Sequence, residues 1–173
     1  GMTGEAVFEL FMRQTPNRQF FVAAGVATAV DWLENLQFKP QELDWMKQTG
    51  LFTQAFIDQM ANFRFTANMN AIAEGELAFP EEPLIQIIAP LPEAQFIESR
   101  LMNIVHYQTL IASKAARCQL AAQGTPIVDF GMRRAHGGEA GLWAARSCYF
   151  AGFASTATCL GSARYNIPPT GTM

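Results

Sequence analysis

The chain has 173 residues, of which half are apolar and 16% are charged, a composition that predicts a packed core and excludes an intrinsically disordered protein. Its net charge is −3. No apolar run is long enough to cross a bilayer, and the N-terminus lacks the pattern of a signal peptide, so we expect a soluble cytosolic protein.

The first third of the chain predicts two strands followed by three helices. The strands are Glu5–Met12 and Gln19–Ala24, with a turn at residues 15–17 between them. The predicted helices span Ala27–Leu36, Pro40–Thr49 with Gly50 as the stop, and Thr53–Asn62 with Thr53 as the N-cap.

The middle of the chain changes character at Phe65. Three short β-like runs, at Asn68–Ala73, Glu76–Phe79 and Leu84–Ile88, predict a small antiparallel unit. The 31 residues between Pro92 and Gly124 exceed an ordinary globular helix, so two helices with a break near residues 107–109 are expected.

The last part of the chain alternates strand and helix. A strand at Ile127–Phe130, helical stretches at Glu139–Ala151 and Thr156–Tyr165, and a strand at Ile167–Thr172 form the pattern of a βαβ unit, which favours an α/β fold with a parallel sheet. Two parallel strands cannot close a barrel or bury both faces of a sheet. We therefore expect the chain to end within a larger architecture.

Positive charge is concentrated in this last part. Residues 1–126 hold 8 basic and 13 acidic side chains, whereas residues 127–173 hold four arginines and two acidic residues. The planar guanidinium group of arginine binds carboxylate and phosphate through two parallel hydrogen bonds. The segment has neither a lysine-rich stripe nor interleaved aromatics, so a small anionic ligand is favoured over nucleic acid.

The most informative stretch is residues 129–137, DFGMRRAHG. It begins at the carboxyl end of a strand, where α/β folds place ligand-binding loops. Gly131 is expected to let the backbone turn away from the strand. Phe130 offers a ring face, and Arg133 and Arg134 offer a fork for a carboxylate, a combination that suits a flat aromatic acid. The alternative is that paired arginines are solvated or form structural ion pairs.

The two histidines do not predict a metal site, because His106 and His136 are 30 residues apart and have no Cys or carboxylate at ligand spacing. We expect His106 to pack between helices. His136 lies in the loop of residues 130–137 that carries Arg133 and Arg134, called here the arginine loop. A local hydrogen bond and a functional role both remain open for it. The three cysteines form no CxxC pair and are expected to be reduced and mostly buried.

Several segments resemble the nicotinate phosphoribosyltransferase family. The likeness covers nearly the whole chain in order and is carried by residues 5–11, 63–65, 93–98, 109–117, 129–137, 144–146, 151–153, 167–168 and 171–172. It implies an N-terminal α/β domain (residues 1–112) followed by the first βαβ portion of an irregular α/β barrel (residues 113–173). It also implies a homodimer that joins nicotinate to phosphoribosyl pyrophosphate in NAD biosynthesis, with Mg²⁺ and ATP as cofactors.

The resemblance also implies roles for individual residues. Arg133 matches the arginine that holds nicotinate, Phe130 would line the pocket beside Gly131, and Thr172 matches a threonine that contacts the base. Arg134 is assigned to phosphate, or to an ion pair with Asp129 or Glu139. The histidine that the family phosphorylates is expected beyond Met173, so no catalytic residue is assigned within the chain.

Ala157 bears on substrate choice. Related nicotinamide enzymes carry an aspartate at the matching position, where it accepts a hydrogen bond from the amide. Alanine cannot accept that bond, and an aspartate would repel a carboxylate, so the acid is favoured. Two alternatives stay open: a non-catalytic fragment or ligand-binding domain of this fold, and a nicotinamide-type or quinolinate-type transferase.

Overall fold

The structure, a computed structural model, describes residues 4–171 and is an α/β fold, as the sequence predicted. Its strands are β1 (Glu5–Phe11), β2 (Phe21–Val22), β3 (Asn68–Ala71), β4 (Leu77–Ala78), β5 (Pro83–Pro90), β6 (Val128–Asp129) and β7 (Ser155–Thr156). Its helices are α1 (Val26–Glu34), α2 (Pro40–Thr49), α3 (Gln54–Ala61), α4 (Leu91–Ala122), α5 (Gly138–Phe150) and α6 (Cys159–Tyr165). Within residues 4–171 no helix combines the length and the apolar character that spanning a membrane requires.

Local signals begin and end the short helices where the sequence predicted. Pro40 occupies the first turn of α2, and Gly50 ends that helix in the left-handed conformation with φ of 66°. The Thr53 hydroxyl caps α3 by accepting a hydrogen bond of 3.3 Å from the Phe56 amide.

The antiparallel part of the fold is two sheets rather than one local unit. A three-stranded sheet has the order β1-β5-β3, in which β5 pairs with β1 along its whole length. The sequence placed β4 with β3 and β5, but β4 pairs instead with β2. Strand pairing here is set by burial of both sheets against the same long helix, a non-local effect that strand propensity does not report.

That long helix, α4, runs unbroken for 32 residues, so the predicted break near residues 107–109 was wrong. The stretch has two side chains with no exposed surface, Gln108 and Thr109. The Thr109 hydroxyl donates to the Ala24 carbonyl (3.0 Å) and accepts from the Ala24 amide (3.2 Å). Tertiary contacts therefore stabilise a polar stretch that would otherwise weaken a helix. The helix also crosses residue 112 without interruption, and the domain boundary expected there stays a prediction.

The main core lies between α4 and the strands. Its largest fully buried side chains come from β2, β5 and α4 and include Phe21, Leu84, Ile85, Ile97 and Ile104. A separate small cluster of Met46, Ile57 and Met60 joins α2 to α3.

The C-terminal part contains the predicted parallel unit, in a shorter form. Strands β6 and β7 pair in parallel, with Asp129 opposite Thr156. The strand that pairs with β6 is therefore Ser155–Thr156, whereas the sequence had placed the second strand at Ile167–Thr172 and had begun a helix at Thr156. Residues 168–170 extend the same sheet, because Pro169 bridges Thr156 in parallel and the Thr170 amide donates to the Thr156 carbonyl at 3.0 Å.

Candidate functional site

The carboxyl ends of the parallel strands meet at one edge of the C-terminal sheet. Phe130 follows β6, Ala157 follows β7, and Gly171 follows the segment that bridges β7. The Phe130 ring is 40% exposed and Ala157 is half-buried. The structure thus brings together three of the segments that sequence reasoning had selected; we call this edge the strand-end site. Thr172 lies outside the described residues.

A buried carboxylate ties the two loops of the strand-end site together. Asp129, which is 6% exposed, accepts a hydrogen bond of 2.8 Å from the Gly131 amide and one of 2.7 Å from the Thr156 hydroxyl. The Thr156 oxygen in turn accepts from the Thr158 amide at 3.1 Å, and the Ala157 amide donates to the Asp129 carbonyl at 2.9 Å. This network fixes the arginine loop relative to the loop that carries Ala157.

Sequence reasoning considered Asp129 only as an ion-pair partner. The signal for its structural role was present, however: an aspartate that ends a strand is placed to accept a hydrogen bond from the backbone amide two residues on, which here is that of Gly131.

Gly131 does not serve the turn in the way that the sequence suggested. Its φ of −77° and ψ of −12° are ordinary helical values, so the turn itself does not require glycine. A Cβ at this position would lie 3.0 Å from the Asp129 Oδ1 atom. A side chain at residue 131 would therefore press on the Asp129 carboxylate, whereas the direction of the backbone places no such restriction.

Arg133 and Arg134 lie on a 3₁₀ turn, Met132–Arg134, and both are exposed. The turn packs on α5 through the Met132 side chain, which occupies the space that a Cβ on Gly141 would need. Neither ion pair considered for Arg134 is present among residues 4–171: Glu139 pairs with Arg100 at 2.7 Å, and Asp129 accepts hydrogen bonds from Gly131 and Thr156.

Arg134 lines a cavity of about 260 Å³ beside β6. The cavity lies between α4 and α5, and its other polar lining groups include Tyr107, Lys114 and Asp129. The Tyr107 hydroxyl donates to the Ala140 carbonyl at 3.0 Å. Two cationic side chains, Lys114 and Arg134, thus border this hollow, and the assignment of Arg134 to phosphate stays a prediction.

A largely buried ion pair joins helix α5 to the turn before β4. Arg146 on α5 pairs with Glu74 in the turn before β4, at 2.6 Å. Burial acts to raise the pKa of Glu74, but the hydrogen bonds and charge of Arg146, together with the amides of Gly25 and Ala27, outweigh it and hold this pKa below its usual value.

The remaining titratable candidates are peripheral. His136 is exposed in the loop before α5, and His106 is exposed on α4 rather than packed between helices, as had been expected. Of the cysteines, Cys148 is buried, Cys118 is half-buried and Cys159 is exposed. In the part of the chain that the structure describes, no three His, Cys, Asp or Glu side chains lie close enough to hold a metal ion.

Comparison with protein families gives a direct match. The model of the nicotinate phosphoribosyltransferase (NAPRTase) N-terminal domain matches residues 1–106. The chain is also 46% identical to nicotinate phosphoribosyltransferase pncB2 of Mycobacterium tuberculosis over 99% of its own length, and 40% identical to nicotinate phosphoribosyltransferase of Bacillus subtilis over 97%.

Solved structures agree with this match. Human nicotinic acid phosphoribosyltransferase superposes on 99% of the chain with a TM-score of 0.89 and 31% identity, over 35% of the human chain. A nicotinate-nucleotide pyrophosphorylase from Pyrococcus furiosus shares the fold at a TM-score of 0.75 and 21% identity. The chain spans 37% of the M. tuberculosis relative and 34% of the B. subtilis relative. These matches show that the chain belongs to the nicotinate phosphoribosyltransferase family, with the family's N-terminal domain at residues 1–106.

Proposed function

We propose that this chain supplies the base-binding portion of an enzyme that joins nicotinate to phosphoribosyl pyrophosphate, giving nicotinate mononucleotide in NAD biosynthesis. One observation carries the proposal: in a member of this family, Phe130, the arginine loop and Ala157 follow adjacent parallel strands and are tied together by Asp129. The product and both substrates are inferred from the names of relatives that are longer than this chain.

In the proposed reaction the chain's own residues bind and orient the base. The Arg133 guanidinium pairs with the nicotinate carboxylate, and the exposed Phe130 ring contacts the face of the pyridine. The lone pair of the pyridine nitrogen forms a bond to C1 of the ribose, while the C1–oxygen bond breaks and its electron pair leaves with pyrophosphate. The substrate is itself the nucleophile, so the enzyme positions it and stabilises charge. Thr172 also contacts the base in this proposal, on the family resemblance alone.

Ala157 supports the choice of the acid over the amide. It follows β7 at the strand-end site, its side chain is a methyl group, and its amide already donates to the Asp129 carbonyl. A methyl group neither repels a carboxylate nor accepts a hydrogen bond from an amide.

Mg²⁺ and ATP stay in the proposal on the family resemblance alone. The residues at the strand-end site do not fit a metal ion, because the only carboxylate described there, Asp129, is buried and accepts hydrogen bonds from Gly131 and Thr156. No step assigned to residues 4–171 uses either group. A homodimer with the site at its interface and a cytoplasmic location are proposed on the same basis.

Product formation is the direct test. The complete product of the reading frame that encodes this chain, called here the complete gene product, is incubated with nicotinate, phosphoribosyl pyrophosphate, Mg²⁺ and ATP. Nicotinate mononucleotide is the expected product, and its absence would refute the proposal. The 173-residue chain, assayed in parallel, is expected to form little or none; turnover by that chain would refute the alternative that it is a non-catalytic fragment.

Competition among bases separates the remaining alternatives. With nicotinate, nicotinamide and quinolinate offered together, the proposal predicts consumption of nicotinate first. Faster consumption of either other base would assign the chain to that type of transferase.

A further inference from the structure

The ion pair between Arg146 and Glu74 constrains both the distance and the relative orientation of helix α5 and the turn before β4. The two terminal nitrogens of Arg146 donate to the two carboxylate oxygens of Glu74 at 2.9 and 2.6 Å. The two side chains are only 14% and 13% exposed. The guanidinium also lies 4.5 Å from the centroid of the Phe150 ring and 5.8 Å from that of Tyr165. The guanidinium group of Arg146 therefore has little freedom to rotate, because a carboxylate holds both of its terminal nitrogens and aromatic rings lie beside it.

The Glu74 side of the pair is anchored to the N-terminal part of the fold. Glu74 accepts a second hydrogen bond, of 2.6 Å, from the Gly25 amide, and the Gly75 amide donates to the Ala23 carbonyl at 2.9 Å. Gly25 has a φ of +93° and lies so close to α4 that a Cβ would be 3.0 Å from the Ile104 carbonyl oxygen. The turn that carries Glu74 is therefore hydrogen-bonded to a backbone segment that packs directly on α4.

The Arg146 side of the pair is coupled to the strand-end site. Helix α5 begins four residues after Arg134, and the 3₁₀ turn that carries Arg133 rests on the first turns of α5 through Met132 and Gly141. A rotation of α5 would therefore carry this turn with it, and Arg133 would leave its position relative to Phe130.

We propose that Glu74 and Arg146 are positioning residues for the base site, setting the orientation of Arg133 through helix α5. The proposal rests on the proposed function, since it names a determinant of that same site. An ion pair of this kind adds little net stability over well-packed apolar residues, so a purely stabilising role explains it less well than a positioning role does.

The kinetic test is Arg146→Lys in the complete gene product, which keeps the charge but loses the planar fork. We expect the KM for nicotinate to rise about tenfold or more, with the KM for phosphoribosyl pyrophosphate within about twofold of wild type. A rise of both KM values together, accompanied by a lower Tm, would overturn the proposal, because that pattern reports general destabilisation. Unchanged kinetics would also overturn it.

The matched control is Arg100→Lys. Arg100 also pairs with a carboxylate on α5, that of Glu139, but the two side chains are 40% and 58% exposed. An exposed pair is expected to hold the helix only weakly, so this variant should keep both KM values within about twofold of wild type. An effect equal to that of Arg146→Lys would contradict the special role of the buried pair.

A second readout does not depend on activity. Hydrogen exchange of the amides of residues 130–137 is measured in the complete gene product, with Glu74→Gln against wild type. We expect exchange of this segment to quicken about fivefold or more while β1 is unchanged. Equal exchange would overturn the positioning role. If the enzyme makes no nicotinate mononucleotide, the proposed function fails, and this exchange measurement still decides whether the pair holds the arginine loop.

Discussion

The hydroxyl of Thr156 donates a hydrogen bond of 2.7 Å to the carboxylate of Asp129, across the two parallel strands that carry the candidate base site. Both side chains are buried, at 1% and 6% exposure. Because the same carboxylate also accepts the Gly131 amide, this contact sets the spacing between the arginine loop and the loop of Ala157.

Removal of this hydroxyl is expected to destabilise the chain. Thr156→Val keeps the shape of the side chain but leaves a buried carboxylate with one donor fewer and the Thr158 amide without its acceptor. The free energy of unfolding should fall by about 1–3 kcal/mol, measured by urea denaturation. Thr156→Ser, which keeps the hydroxyl, should lose less, about 1 kcal/mol. An equal loss in both variants would show that packing, and not the hydrogen bond, is what matters here.

The Glu74–Arg146 pair predicts a loss of stability in acid. The pKa of Glu74 in the folded chain lies below its usual value of 4.5. Its contribution to stability is therefore fully present above about pH 4.5 and is lost as the pH falls through the lower, folded pKa. Arg146 stays charged throughout this range.

The measurement is unfolding free energy against pH, from about pH 6 down to the lowest pH at which the chain stays folded, for wild type and Glu74→Gln. The variant should show a flatter acid limb. Parallel curves for the two proteins would contradict a depressed pKa for this carboxyl group.

Thiol labelling should distinguish the cysteines. Burial raises the pKa of Cys148 to about 12, with the Asp129 and Cys118 charges adding to the effect. Only the thiolate reacts, so iodoacetamide at about pH 8 should leave Cys148 unmodified in the folded chain and modify the exposed Cys159 first, as read by mass spectrometry of peptides. Cys159→Ser should remove the fast phase. Labelling of Cys148 at the same rate in folded and urea-unfolded chain would contradict this account.

Ala157→Asp should shift the base preference from the acid toward the amide. An added carboxylate repels nicotinate and accepts from the amide of nicotinamide, so the ratio of kcat/KM values should move by a factor on the order of 10–100. Ala154→Asp, at an exposed position before β7, is the matched control and should leave the ratio unchanged. A ratio that moves equally in both variants would point to general charge rather than to a contact at residue 157.

The elements that the sequence located well are those with local signals. Pro40, Gly50 and Thr53 start or stop helices through backbone chemistry that acts within a few residues, and they do so in the structure. The strand β1 was equally clear from its alternating pattern, and it was placed to within one residue.

The errors arose where distant parts of the chain decide the structure. The Thr109 hydroxyl completes the backbone hydrogen bonds of Ala24, 85 residues away, so a stretch that is polar in sequence stays helical. Strand β7 is two residues long, too short for any periodicity to appear. Its place is set by pairing with β6 and by the Asp129–Thr156 contact.

The candidate site was found in sequence by its arginines and its aromatic residue, because charge and ring faces can be read from residue types. What holds those residues could not be read in the same way. The contact between Asp129 and Thr156 joins residues 27 positions apart, and the pair of Arg146 with Glu74 joins residues 72 positions apart, so neither could be read from local sequence.

The most direct test of the base site is steady-state kinetics of Arg133→Ala in the complete gene product. Because the nicotinate carboxylate loses its charged partner, stabilisation of the transition state should fall by about 2–4 kcal/mol. This corresponds to a kcat/KM for nicotinate that is lower by roughly 30-fold to 1000-fold. Arg164→Ala, which removes another exposed arginine of the same segment, should change kcat/KM by less than about threefold. An unchanged kcat/KM in Arg133→Ala would contradict the assignment of the strand-end site as the nicotinate pocket.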